Sequence, residues 1–502
     1  MVQFLYLNYF RKGRATNSSS THSIIYRNKG EIMKDLNIFE ENYYDRCMRT
    51  IAATKSAKIK YIYACIFKWD KMAEVLSNKY PEMKQYFRLA RMEANRDDGD
   101  NGWMPYIGEH CRGSIAPYDN FEVAYEHLCN VIDNDDIIIV GGSDEEDFVY
   151  DILEEHNKVS THFYTNDKMS FFKNGNYYCG YSHYGDKIRL CTTKDNMPIP
   201  EMPELIDLLI TKKCKHACPF CYNNSTKNGD HASVNDIRNI IAKINKPTEF
   251  SIGGGNILEH PDLEGIFKTI KPHLSDRWSE NYKHIINVTI NSKDVVDIIN
   301  NDSYKNLFMK YVDGIGISIQ TANDIEMWKQ MISVFPDKYV TIHIIPEMIG
   351  VTESLSIINS AYDIYTTEKK GNYPNFLFLG FKESGRGCNV KYNKLTDNEL
   401  DALFNSRGVK HVDTSFANRY KGYISENFEN MTVTYNEGEY SMFIDAVDMK
   451  AYISSYILNT PHALKFDDWR KNTIKDAFSL IRKEGGFTVY NEKNYKKYYE
   501  KE

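Results

Sequence analysis

No run of about 18 uncharged apolar residues occurs in the chain, so a membrane-spanning helix is not expected. Cysteine is also scarce. Ten in 502 residues, mostly scattered, do not suit a disulfide framework. A reducing cytoplasm fits this usage, and there thiolates stay free to hold metal. Positive charge is not in excess either. The 62 Lys and Arg stand against 69 Asp and Glu, and the net charge of −7 gives no global pull toward nucleic acid or an anionic membrane. The N-terminus lacks the order of a secretory signal, because residues 1–10 are apolar and Arg11, Lys12 and Arg14 come after them. What remains is 42% apolar and 26% charged, the balance of a globular protein long enough for several cores.

Three zones differ in pattern. Residues 1–190 mix helical periodicity over 45–95 with short strand-like runs such as 136–140. This is expected to be an α+β N-terminal domain of unknown role. The polar run 16–23 reads as a Ser-rich surface turn. Residues 137–147 read as a strand, a Gly turn and an acidic helix start, where Asp144, Glu145 and Glu146 would repel a phosphate. Residues 200–410 alternate strand and helix patterns. Strands are expected at 205–210, 249–252, 285–290, 314–319, 340–345 and 376–380. Helices are expected at 234–244, 262–270, 295–309, 325–334 and 355–366. Six short buried strands joined by helices imply βαβ units in an α/β fold with a curved or closed parallel sheet. Such folds collect their chemistry at the C-terminal ends of the strands. Residues 411–502 change again, with an expected hairpin of 431–435 and 440–447, a basic helix over 467–483 and a charged tail.

Directly after the first of those strands stand Cys214, Cys218 and Cys221, in the spacing CxxxCxxC. Three thiolates on one loop can each bind one iron of a [4Fe–4S] cube and leave the fourth iron open. A zinc site completed by His216 or His231 has the same ligand types, and spacing alone leaves both open. A second cluster, Gly253, Gly254, Gly255 and Asn256, follows the second strand. Glycines allow close backbone approach to a small ligand, though a plain turn looks the same.

Together these features resemble the radical S-adenosylmethionine (SAM) superfamily over about residues 200–390. The fold class is then a partial (β/α)6 barrel with a small C-terminal extension. The resemblance implies that the three cysteines hold a [4Fe–4S] cluster and that SAM is cofactor. The reduced cluster would cleave SAM to a 5′-deoxyadenosyl radical. Phe220 fills the aromatic place of the CxxxCxΦC pattern, which packs near adenine. The glycines resemble the Gly-Gly-Glu-Pro motif that receives the methionyl amino group, but Asn256 and Ile257 stand where the family has Glu and Pro. Asn291 after strand three, and Ser318 and Gln320 at strand four, are further SAM contacts on this view. Glu347 follows strand five, and Lys382, Glu383 and Arg386 follow strand six. Arg386, between two glycines, is expected as a clamp on an anion.

The segment beyond residue 437 is faintly similar to the SPASM-like extension of peptide-modifying members, yet no cysteine occurs after Cys388. An auxiliary cluster is therefore not expected. Cys47, Cys65, Cys111, Cys129, Cys179 and Cys191 read as small buried residues, whereas Cys388 could face the site. The function expected is hydrogen abstraction from a peptide or protein, with a reductant such as flavodoxin or ferredoxin as partner. A nucleoside, nucleotide or nucleic acid substrate is one alternative. A non-catalytic SAM- or zinc-binding regulatory protein is another. Residues 1–190 are expected to recognise substrate or to cover the barrel mouth.

Overall fold

In a computed structural model of the chain, the residues described are 2–11, 22–24, 51–66, 70–84, 121–135, 137–141, 164–165, 169–182, 185–191, 197–271, 284–368, 373–468 and 470–491. Cys47, Cys111, most of the 16–23 run, the acidic stretch 143–147 and the tail beyond 491 lie outside them.

The first zone is α+β. Its strands are β1 (Val2–Arg11), β3 (Ile51–Ala52), β4 (Ile137–Gly141), β5 (Tyr164–Thr165), β6 (Met169–Asn174), β7 (Tyr177–Ser182) and β8 (Lys187–Cys191). They form one antiparallel sheet in the order β3-β4-β1-β8-β7-β6-β5. Helices Lys55–Ile66, Asp70–Lys79 and Phe121–Asp133 bury Ile59, Ile62, Leu76, Leu128 and Ile132 against Ile137 and Ile139.

The second sheet starts with β9 (Leu205–Thr211), β10 (Glu249–Gly254), β11 (Ile285–Asn291), β12 (Gly314–Ser318), β13 (Tyr339–Ile344) and β14 (Asn375–Phe378). These are the six expected strands, paired parallel in chain order. Two more extend the parallel set. Beyond β14 lies β15 (Val409–Asp413), and β16 (Ser441–Asp445) pairs with β9 on the other side. The expected boundary between 410 and 411 therefore falls inside β15. The expected hairpin is also displaced, because Asn430–Thr432 is a 3-10 turn and β16 pairs instead with β17 (Lys450–Tyr452). The sheet ends in short strands, β17 and then β18 (His462–Ala463) on one side and β2 (His22–Ile24) on the other, so the outermost strands are only 2 and 3 residues long.

Strand alternation divides this sheet into two chemically different faces. Ile206, Leu208, Ile210, Phe250, Ile252, Ile286, Val288, Ile315, Ile317, Ile342, Phe376 and Val412 pack into one large core with the flanking helices. The intervening residues include Asp207, Ser251, Asn287, Thr341, His343, His411 and Asp413, all buried on the opposite face. That face is concave. Arg386, just after β14, donates to the carbonyl of Cys218, just after β9, at 2.8 Å. Those strands are five places apart, and a flat sheet would hold them about 24 Å from each other. The sheet is therefore curved into a partial barrel with a polar interior.

The two zones meet at the N-terminal ends of the barrel strands. Arg189 of β8 grips Glu204 with Nε and Nη2 at 2.8 and 2.9 Å, and Tyr177 donates to the same carboxylate. Lys187 lies 3.1 Å from Glu204 and 3.4 Å from Glu249. Burial alone would raise the Glu204 carboxyl, but Arg189 and Lys187 hold it down at about 2. The Arg189 guanidinium also lies 4.0 Å from the Tyr9 ring centre and 3.4 Å from that of Tyr440. This contact closes the end of the barrel opposite the cysteines. The described part of the first zone thus places its buried charges against Glu204 and Glu249, at the end of the barrel away from the cysteines.

Candidate metal centre and barrel interior

The cysteine loop begins where β9 ends, and its base is zipped by backbone hydrogen bonds. Cys214 N donates to Thr226 O at 2.8 Å, and Thr226 N returns to Lys212 O at 3.1 Å. Within it, Ala217 takes a left-handed conformation at φ 49°, and Cys221 N bonds Cys218 O at 3.2 Å. The chain thus curls so that all three thiols stand on one small loop. Each is half-buried and free. Burial raises the Cys214 and Cys218 thiols, and the neighbouring cysteines raise them further through their charge. The three side chains therefore lie within each other's electrostatic field.

Among the described residues, no three His, Cys, Asp or Glu side chains converge tightly enough to hold one metal ion. A [4Fe–4S] cube asks for a wider arrangement, since each thiolate binds a different iron. The donor set fits that group, with three soft thiolates and no fourth protein ligand. The histidines needed for a zinc site are engaged elsewhere. His216 Nε2 lies 2.7 Å from Asp294 Oδ2, and His231 Nδ1 lies 2.9 Å from Thr211 Oγ1.

The glycine cluster packs directly on the root of this loop. Gly255 N donates to Thr211 O at 2.7 Å, and Asn256 N to Lys213 O at 2.8 Å. Asn223 of the cysteine loop donates to Gly254 O at 3.1 Å. Gly254 has a φ of +115°, which disfavours any side chain there. Asn256 uses Oδ1 to cap Leu258 N and donates through Nδ2 to Asp294 at 3.1 Å. Asp294, which also meets Lys215 at 3.2 Å and His216, ties the two loops together. Sequence reasoning passed over it; its signal is an acid three residues beyond a strand end.

Arg386 is engaged by the cysteine loop through Nε and Nη1. Its Nε reaches Cys218 O at 2.8 Å, and Nη1 reaches Ser225 O at 2.8 Å and Asn224 Oδ1 at 3.4 Å. It acts as a brace across the cysteine loop. An Arg386→Ala variant should retain iron at half the wild-type stoichiometry or less after desalting, with the melting temperature lowered by several degrees. Charge-assisted bonds of this kind contribute about 1.5–3 kcal/mol each. Lysine cannot reproduce the fork, so Arg386→Lys should resemble the alanine variant. Full iron retention in both would show that the brace is dispensable.

Of the other residues singled out, Phe220 is half-buried between Cys218 and Cys221, and Ser318 and Gln320 are half-buried at the end of β12. Asn291 caps Lys293 N at 3.0 Å. Glu347 is buried and serves the loops: it accepts from Phe381 N and Tyr420 Oη at 2.6 Å each, and pairs with Arg419. Cys388 is exposed, with its thiol 3.2 Å from Glu383 O. Cys129, Cys179 and Cys191 are buried, as expected of small apolar residues.

Behind the loop, the barrel interior gathers Asp207, Lys382, Asp413, Glu437 and Tyr456, a group not assembled by sequence reasoning. Lys382 Nζ lies 3.8 Å from Asp413, 4.8 Å from the ring centre of Tyr222 and 5.0 Å from that of Tyr456. Tyr456 donates to Glu437 at 2.8 Å. Burial pushes the Asp207 carboxyl well up, against the pull of Lys382, and pushes Glu437 up to about 8. Burial likewise lowers the Lys382 ammonium, against the attraction of Asp413. One signal was available in the sequence, a lone acid inside the apolar strand Leu205–Thr211.

Residues 208–342, from β9 into β13, match the model of the Radical SAM superfamily. This stretch is a radical SAM domain, which supports an enzyme. No curated protein matches the chain. A solved structure of Streptococcus suis SuiB bound to precursor peptide SuiA aligns over 84% of this chain and 82% of that chain. Its identity is 11% and its TM-score 0.41. No helix among the described residues is long and apolar enough to cross a membrane.

Proposed function

We propose that this enzyme reductively cleaves SAM and uses the resulting 5′-deoxyadenosyl radical to take a hydrogen atom from a peptide or protein. The cluster, when bound and reduced, supplies the electron that splits the SAM sulfonium into methionine and that radical. Cys214, Cys218 and Cys221 hold the irons. The backbone of Gly253, Gly254 and Gly255 receives the amino group of SAM, and Phe220 packs on its adenine. Asn291, Ser318 and Gln320 face the remainder of the cofactor. Arg386 fixes the loop rather than a ligand. The first zone, docked on Glu204 and Glu249, keeps water from entering the barrel by its far end. A flavodoxin or ferredoxin reaches the cluster from the loop's half-exposed side.

The observation favouring a peptide over a nucleotide is the sign of the barrel interior. Three carboxyl groups, Asp207, Asp413 and Glu437, face one ammonium, Lys382. A phosphate would find a single shared ammonium there, whereas a basic groove is what nucleic acid requires. The test is anaerobic reconstitution with iron and sulfide, followed by dithionite and SAM. Formation of 5′-deoxyadenosine is expected, and its absence in fully iron-loaded protein would refute the proposal.

A further inference from the structure

Three buried polar atoms on the inner face of the barrel have no hydrogen-bond partner: Asp207 Oδ2, Asn287 Oδ1 and Thr341 Oγ1. The residues are 5%, 0% and 1% exposed. Leaving such an atom unsatisfied costs about 1–3 kcal/mol, and three on one face indicate a missing polar occupant. Strand register places them near one level. Asp207 is opposite Ser251, Ser251 opposite Asn287, and Asn287 opposite Gly314, while Gly316 is opposite Thr341. At that level β12 presents Gly314 and Gly316, which carry no side chains. Ser455, buried beside Asp207, adds a second hydroxyl to this group; the carboxylate and amide oxygens accept and both hydroxyls can accept as well as donate, so an occupant that brings donors can satisfy all of them. Its charge follows from the surroundings. Lys382 lies against Asp413 and two aromatic rings and is shared with Asp207 and Glu437, so one ammonium serves three carboxyl groups.

We infer that the barrel interior is a site for a cationic nitrogen of the substrate, an ammonium or guanidinium group held by Asp207 beside Glu437. This deepens, and rests on, the peptide function proposed above. An ammonium carries three donors and no acceptor, a guanidinium five, and both match a cradle of carboxylate, amide and hydroxyl oxygens that can all accept. Through the Tyr222 ring, Lys382 connects this cradle to the cysteine loop, since Tyr222 directly follows Cys221. A group anchored on Asp207 would therefore set which carbon of the substrate faces the radical.

The test uses full-length, iron-reconstituted protein with SAM and measures binding by calorimetry. The probes are N-acetyl-lysinamide, N-acetyl-argininamide, glycinamide and the neutral isostere N-acetyl-norleucinamide. At least one cationic probe should bind about tenfold or more tightly than the norleucine probe. The strongest cationic probe identifies the source as a lysine side chain, an arginine side chain or an amino terminus. The preference should fall several-fold in Asp207→Asn and also in Glu437→Gln, which keeps the test open if the first variant fails to fold. Equal binding of charged and neutral probes, no measurable binding of any cation, or a preference unaltered in both variants would overturn the site. Deoxyadenosine formation in wild-type protein is read separately. If it proceeds while no cation preference exists, the cation site alone is refuted and the radical chemistry stands.

Discussion

A Cys218→Ala variant should lose the cluster absorbance on reconstitution, and its 5′-deoxyadenosine formation should fall by at least about a hundredfold. Loss of outer-shell partners already costs metal sites 10–100-fold, and here a direct ligand is removed. Two thiolates remain, one on each side of the left-handed turn at Ala217, and neither can take the vacated place because both are needed for their own irons. Nothing else close at hand replaces the thiolate. His216 is committed to Asp294, and the remaining free cysteines among the described residues are buried in other cores or, as Cys388, exposed after β14. The fold itself should be nearly indifferent. The Cys218 side chain is half-buried on a loop, and substitutions at such places change stability by about 0.5 kcal/mol or less. Circular dichroism and melting temperature should therefore stay at wild-type values while iron content and product collapse. Wild-type deoxyadenosine yields from Cys218→Ala would remove the cysteine loop from the chemistry altogether.

What could be seen in advance follows a physical pattern. The six strands were legible because each carries an apolar residue at every second position for the helices outside, and Ile, Val and Phe are hard to mistake there. The cysteines were legible because a metal site written on one loop leaves its spacing in the sequence. β15 was missed because Val409–Asp413 alternates Lys410 and His411 into a strand whose inner face is polar, so it does not resemble a buried run. β16 was assigned to a hairpin because a parallel partner 236 residues earlier, Leu205 for Ser441, leaves no local mark. The interior acids have the same difficulty. Asp207, Lys382, Asp413 and Glu437 become neighbours only when the sheet curves, and curvature is not written in any window of residues. Arg386 shows the converse. Its flanking glycines were real signals of a close approach, and the partner seen there is the backbone of the cysteine loop, which the sequence did not suggest.

The close approach between the glycine cluster and the cysteine loop leads to the second large expected effect, that of Gly255→Ala. A methyl group at Gly255 would lie 2.0 Å from Lys213 O and 2.7 Å from Lys213 C. Both are backbone atoms, so no side chain can rotate away and the two segments must separate. They are joined at this point by the bonds from Gly255 N to Thr211 O and from Asn256 N to Lys213 O, and Lys213 immediately precedes Cys214. Overpacking of a tight junction typically costs about 1–3 kcal/mol. The greater consequence should be chemical, because the first cysteine moves with its neighbour. Iron uptake and deoxyadenosine formation should each fall about tenfold or more, in line with the losses seen when groups that orient metal ligands are removed. Gly422→Ala supplies the comparison. Gly422 lies in the helix Lys421–Asn427, a new methyl group there meets nothing within 4 Å, and the variant should gain about 0.4–1 kcal/mol of stability with activity unchanged. If Gly255→Ala instead binds iron and cleaves SAM as the wild type does, the junction tolerates the methyl group and does not govern where Cys214 stands. If it loses iron while Gly422→Ala keeps it, the glycines are required because they let β10 seat the cysteine loop, whatever further contact they make with SAM.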